Sequence, residues 1–187
     1  ASLNIRHGQG MPRNIRNAYT SFSHPKEKME ENAKHIARRI MALETIPDVI
    51  CIQESNTMAR TWPDVANIIR ERLGYGHLAV SSKRILPHNN AIISNIPFQL
   101  VTSRQFRKYH LIQSGNPASL MASLNRGFVA AELENFGTII TTHLDPFDAR
   151  VRQIQAKELL KHLDHRKPTI LAGDLNPASF DERSLRM

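Results

Sequence analysis

Residues 127–145 read GFVAAELENFGTIITTHLD, two apolar-rich runs interrupted by ENFG. The β-branched and aromatic content predicts strands over 127–133 and 138–143, joined by a tight turn containing Asn135 and Gly137. Directly downstream, a helix is predicted from Phe147 to Asp164, turning Val151, Ile154, Leu159, Leu160 and Leu163 inward. PTILAGD, residues 168–174, then reads as the last strand. Strands joined as hairpins but interspersed with helices imply mixed rather than purely parallel sheets.

Upstream of the hairpin the same logic continues. Residues 104–125 have no clean period and read mostly as loop, while GHLAVSS, NAIISN and FQLVTS are short strands separated by Pro87 and Pro97. Val65, Ile68, Ile69 and Leu73 form the stripe of a helix from Pro63 to Leu73, stopped by Gly74. A longer amphipathic helix spans Ser23 to Glu44, with Pro25 in its first turn and Met29, Ala33, Ile36, Ile40 and Leu43 on its apolar face. DVICI after Pro47 is a short run typical of a strand buried on both faces, and Ser2 to Ile5 is a very short first strand.

The chain has 187 residues, 41% of them hydrophobic, enough for one substantial core and most simply a single domain over 1–187. With 25 Lys and Arg against 17 Asp and Glu, the net charge of +8 favours an anionic partner, nucleic acid or an acidic lipid surface. The single cysteine, Cys51, excludes an internal disulfide framework and a cysteine-based zinc site. No segment has the ~18 consecutive apolar residues of a membrane span, so the chain reads as soluble.

Four strands finish on polar residues that packing does not require: Asn4, Glu54, His143, and Asp174 with Asn176. Gathered on one rim of a sandwich, they suit hydrolysis of a phosphate ester. Mg²⁺ or Mn²⁺ takes oxygen ligands, commonly one or two carboxylates with retained waters, and Glu54 is such a donor. An imidazole can donate toward phosphate, an amide can orient it, and a carboxylate can align or deprotonate water. Each residue alone has a plainer reading as a cap or turn residue, and the ordered set is what carries the chemistry.

That set lies within LNIRHG, PDVICIQE, NNAIISNIPF, RGFVAAEL, TTHLD, an RxxQAxxL helix at 152–159, and PTILAGDLN. In this order the motifs resemble the endonuclease/exonuclease/phosphatase, deoxyribonuclease I-like superfamily across nearly the whole chain. The resemblance implies an α+β fold, a four-layer α/β-β/α sandwich of mixed sheets. It implies Glu54 as the principal metal ligand, with Asn4 beside metal and phosphate. Asp174 would position the attacking water, Asn176 would hold the scissile phosphate, and His143 would contact the phosphate or leaving group. Asn90 is a candidate substrate contact or a turn residue, and Arg6 a basic residue bordering the site.

The family pattern continues past the Gly-Asp-x-Asn strand to a Ser-Asp-His motif, and no SDH occurs in this chain. The expectation is a domain incomplete at its C-terminus, with the start three residues before Asn4 raising the same question there. Uncovered sheet surface would then favour association with a partner. RQFRKYH, residues 104–110, interleaves Arg104, Arg107 and Lys108 with Phe106 and Tyr109, a composition suited to phosphates and bases and equally to a solvated loop. The reading is therefore a Mg²⁺-dependent phosphodiesterase acting as a nuclease on DNA or RNA. A phospholipid or phosphoinositide hydrolase and a catalytically incomplete binding module are the alternatives.

Overall fold

The computed structural model describes residues 1–4, 26–55, 63–81, 89–107, 126–146, 148–164 and 166–176. The expected site residue Arg6 and the loop residues Lys108 and Tyr109 lie outside them. Among the described residues eight strands form two four-stranded sheets. The first sheet has the order β1 (Ser2–Asn4), β2 (Val49–Ser55), β4 (Asn89–Ser94), β3 (His77–Val80). The second runs β5 (Phe98–Gln105), β6 (Gly127–Leu133), β7 (Gly137–His143), β8 (Thr169–Asp174). The pairs β1/β2 and β7/β8 are parallel and the rest antiparallel, so both sheets are mixed as expected.

Period-2 alternation decides the layering. In β2, Ile50 and Ile52 join the outer core beneath the helices, while Cys51 joins Ile92, Val129, Ala131 and Ile139 in the core between the sheets. Helices α1 (Lys26–Met41) and α2 (Val65–Leu73) cover the first sheet through Ala33, Ala37, Ile40, Val65 and Ile69. Helix α3 (Ala149–Leu160) covers the second, where Leu159 packs with Phe106, Phe128, Ile140 and Leu144. The result is the expected helix–sheet–sheet–helix sandwich. Among the described residues no helix is long and apolar enough to cross a membrane.

Local chemistry sets the helix ends. Asp64 caps α2 by accepting from the Asn67 N–H at 3.0 Å, and Gly74 closes it in the left-handed conformation at φ 73°. Asp148 caps α3 by accepting from the Arg150 N–H at 2.7 Å.

Several inward assignments need correction. α1 ends at Met41, which leaves Leu43 51% exposed beyond it, and Ala37 fills the stripe instead. On α3, Ile154 and Leu160 are exposed, while the polar Gln155 is fully buried with Val151 and Leu159. Gln155 is there because its side-chain oxygen accepts the Asp145 N–H at 2.8 Å. β5 also runs on to Gln105, so residues 104 and 105 belong to a strand rather than a loop. Pairing with β6, a non-local contact, extends the strand past the end of its own hydrophobic pattern.

Candidate active site

The register aligns the polar strand ends. Across the second sheet, Gln105 pairs with Gly127, Gly127 with His143, and His143 with Asp174, one row of Cα partners along a single rim. In the first sheet Asn4 pairs with Gln53, which places Asn4 beside the residue preceding Glu54.

Glu54 reaches the rim through a local irregularity. Strict alternation would put it on the face of Ile52, under the helices. Instead the β2/β4 register shifts between Ile52 and Ser55, and Glu54 has φ 57°, in the left-handed region that non-glycine residues seldom occupy. Such a bulge re-aims a side chain, and strain of this kind concentrates at functional positions. Glu54 Oε1 lies 3.8 Å from His143 Nδ1, with the carboxylate side chain 17% exposed.

His143 is the hub. Its side chain is 5% exposed, and its Nε2 lies 3.5 Å from Asp174 Oδ2, so the imidazole stands between two carboxylates brought from different sheets. Asp174 Oδ1 accepts the Asn176 N–H at 3.0 Å, and Asn176 Nδ2 donates to the Leu144 carbonyl at 2.8 Å. Leu144 N–H in turn donates to the Asp174 carbonyl at 2.9 Å. The acid and amide of the last strand are therefore tied back to the end of β7, with Asn176 at φ 45°.

A polar seam holds the two sheets together below the rim. Gln53 is buried and its Nε2 donates to Thr141 Oγ1 at 2.8 Å, from one sheet to the other. The Gly127 carbonyl accepts from Asn90 Nδ2 and from Thr142 Oγ1, both at 2.9 Å. Asn90 is thus an inter-sheet tie through its amide nitrogen, while its buried Oδ1 has no hydrogen-bond partner among the described residues.

Two residues of the site were not anticipated from the sequence. Arg126, directly before β6, is 4% exposed, and its Nε and Nη1 lack hydrogen-bond partners among the described residues. Burial pulls its guanidinium down to about 10, opposed by the charges of Glu54, then Asp145, then Asp174. Arg126 is therefore the buried countercharge of the acidic rim. Asp145 is fully buried, accepts the Asp148 N–H at 2.9 Å, and joins the end of β7 to the start of α3. In one dimension Arg126 looks like a surface cation beside a glycine, and Asp145 like a turn residue before proline. The signal that points to them is that Arg126 opens RGFVAAEL and Asp145 ends TTHLD, two of the motifs that carry the family resemblance.

The rim donors are carboxylate, amide and imidazole, while the one thiol is buried in the inter-sheet core. This donor set fits a hard divalent ion better than a soft one. Among the described residues no three or more His, Cys, Asp or Glu side chains close into a cage. The fit is to an ion held through one or two carboxylates, with other oxygens completing its shell.

Comparison with known proteins agrees with this architecture. The model of the Endonuclease/Exonuclease/phosphatase family matches residues 1–184. An endonuclease/exonuclease/phosphatase from Beutenbergia cavernae is 23% identical with a TM-score of 0.56, over 77% of this chain and 42% of that one. The mannosyl-6-phosphatase of Bacteroides thetaiotaomicron is 15% identical with a TM-score of 0.59, over 94% of this chain and 64% of that one. An AP endonuclease from Archaeoglobus fulgidus is 20% identical with a TM-score of 0.50, over 82% of this chain and 55% of that one. At these identities the likeness concerns the fold, and the chain spans less than two thirds of each of these structures. A search of curated proteins found no match.

Proposed function

This chain belongs to the endonuclease/exonuclease/phosphatase family, and on that premise we propose that it is a Mg²⁺- or Mn²⁺-dependent phosphodiesterase acting on nucleic acid. The family hydrolyses phosphate esters and generally uses divalent metal ions. The observation that carries the proposal is the convergence of Glu54, His143 and Asp174 from three strands and two sheets onto one rim.

In this reading Glu54, with Asn4 beside it, holds the ion, which when bound offsets charge on the phosphoryl oxygens. The chain's own groups do the rest. Asp174 has its Oδ1 fixed by the Asn176 N–H and its side chain 29% exposed, which leaves it able to align an attacking water. His143, between the two carboxylates, donates a proton or hydrogen bond toward the phosphate or its leaving oxygen. Asn176 ties its loop to the Leu144 carbonyl through one Nδ2–H and keeps the second to donate toward the scissile phosphate. Arg126 counters the charge of the assembled carboxylates from beneath.

The preference for nucleic acid rests on the net charge of +8. The test is nicking of supercoiled plasmid with and without Mg²⁺. Activity that needs the ion, weakens with salt and falls by ~10²-fold or more in Glu54→Ala and Asp174→Ala supports the reading. Plasmid left intact, with phosphate released from anionic lipid or sugar phosphates instead, refutes the substrate class.

A further inference from the structure

A cavity of about 950 Å³ lies between the end of β5 and the flank of α3, away from the carboxylates. Its walls are Thr102, Ser103, Arg104, Gln105 and Arg107 on one side and Ile154, Lys157, Glu158, Lys161 and His162 on the other. Of these we single out Arg104, Arg107, Lys157 and Lys161, all exposed. None of the four forms an ion pair with a carboxylate among the described residues. The one acid in the wall among the described residues, Glu158, accepts the Arg107 backbone N–H at 3.2 Å.

Lys157 lies in the last turn of α3 and Lys161 is its C-cap, four residues on and about 6 Å along the axis. Arg104 faces them from the strand, because its pairing partner Phe128 packs on the α3 side of the sheet. A chain of anions entering the cavity gains affinity by releasing its counterions to these four exposed cations.

The groove and the rim share one end of the second sheet on opposite faces: Arg104 faces α3, and the row of Gln105, His143 and Asp174 faces the other sheet. Gln105 lies on the same row of paired residues as His143 and Asp174, three strands from β8, or about 14 Å at normal strand spacing. We propose that this groove binds the phosphodiester backbone of a single nucleic-acid strand, one end of which reaches the His143–Asp174 rim. The assignment rests on the nucleic-acid reading above and names residues outside that site. Shape selects a strand over a bilayer, because a flat anionic surface cannot enter a cleft between a strand and a helix. Among the described residues the groove's lining also offers only Ile154 as a large apolar side chain for insertion.

The test uses the full 187-residue chain, a labelled single-stranded DNA oligonucleotide, and fluorescence anisotropy in EDTA, so that no hydrolysis intervenes. Each phosphate contact on a single strand contributes about 0.7 to the slope of log K against log salt, so Lys157→Gln with Lys161→Gln should flatten it by about 1.4. The same loss weakens binding about 25-fold at 0.1 M salt. Glutamine keeps the helix propensity. The control is Lys28→Gln with Arg39→Gln, exposed positions on α1, which should leave the slope unchanged.

An equal loss in the control would reduce the effect to net charge and overturn the groove. Unchanged binding in the α3 double variant would also overturn it, as would a loss confined to phosphatidylserine vesicles. Groove-dependent binding without any plasmid nicking would refute the proposed activity alone, whereas nicking without groove dependence would refute only this inference.

Discussion

Replacing Gly173 with alanine should damage the site through the backbone. Gly173 has φ +157° and lies opposite Thr142 in the parallel β7/β8 ladder. A Cβ built there falls 2.1 Å from the Thr142 carbonyl oxygen, 2.9 Å from its nitrogen and 3.0 Å from its carbonyl carbon. These atoms are main chain, and β7 is held from its other side by β6. Relief therefore requires β8, the edge strand, to withdraw by about 1 Å from its ~4.8 Å spacing, beyond good hydrogen-bond length. Two ladder bonds at about 1 kcal/mol each, with backbone strain of about 1–3 kcal/mol, give a loss of about 3–5 kcal/mol. For a domain of this size that corresponds to a melting point lower by roughly 10 °C.

The next residue is Asp174, so the same withdrawal lengthens its 3.5 Å approach to His143. Thermal unfolding followed by circular dichroism, with plasmid nicking on the folded fraction, reads both effects. A Gly173→Ala protein that melts with the parent and nicks DNA at the same rate would refute the close approach of the two strands and the role assigned to their ends.

Arg126→Met should destabilise the chain by about 3 kcal/mol at neutral pH, because it leaves buried carboxylate charge uncompensated. Urea titrations at pH 7 that show no loss relative to the parent would contradict it. Cys51, whose thiol is pushed up to about 11 chiefly by burial, should resist a thiol-reactive dye at pH 8 until denaturant is added, and rapid labelling of the native chain would disprove its burial. Asp64→Ala removes the α2 cap and should cost about 1 kcal/mol, a drop of about 2–4 °C in melting point. An unchanged melting point would mean that Asp64 does not hold the helix start.

Much of the fold was legible because local chemistry and tertiary packing agree. The hairpin at 127–143, the Gly74 end of α2, and the apolar faces of β2 and β4 each follow from patterns within a dozen residues. Where packing overruled pattern, the reason was a hydrogen bond or a pairing made at long range. Gln155 displaced Ile154 from the interior because Asp145 needed an acceptor, and β5 lengthened because β6 offered partners.

The candidate site divides along the same line. Asn4, Glu54, His143, Asp174 and Asn176 could be named as polar strand ends, since a strand ending on such a residue is visible in one dimension. How Glu54 meets His143 could not, because it depends on a left-handed residue inside a bulge that reverses the expected face. Nothing in the residues around Arg126 shows that it is buried. Its burial arises only when two sheets close over it, and its charge acquires meaning only from carboxylates as many as 72 residues away at Glu54. By itself the sequence determined which groups are available and which strands carry them. Tertiary structure alone decided which of them share a rim, which are tied up between the sheets, and where the cations outside that rim converge, because those outcomes depend on register and layer packing rather than on neighbouring residues.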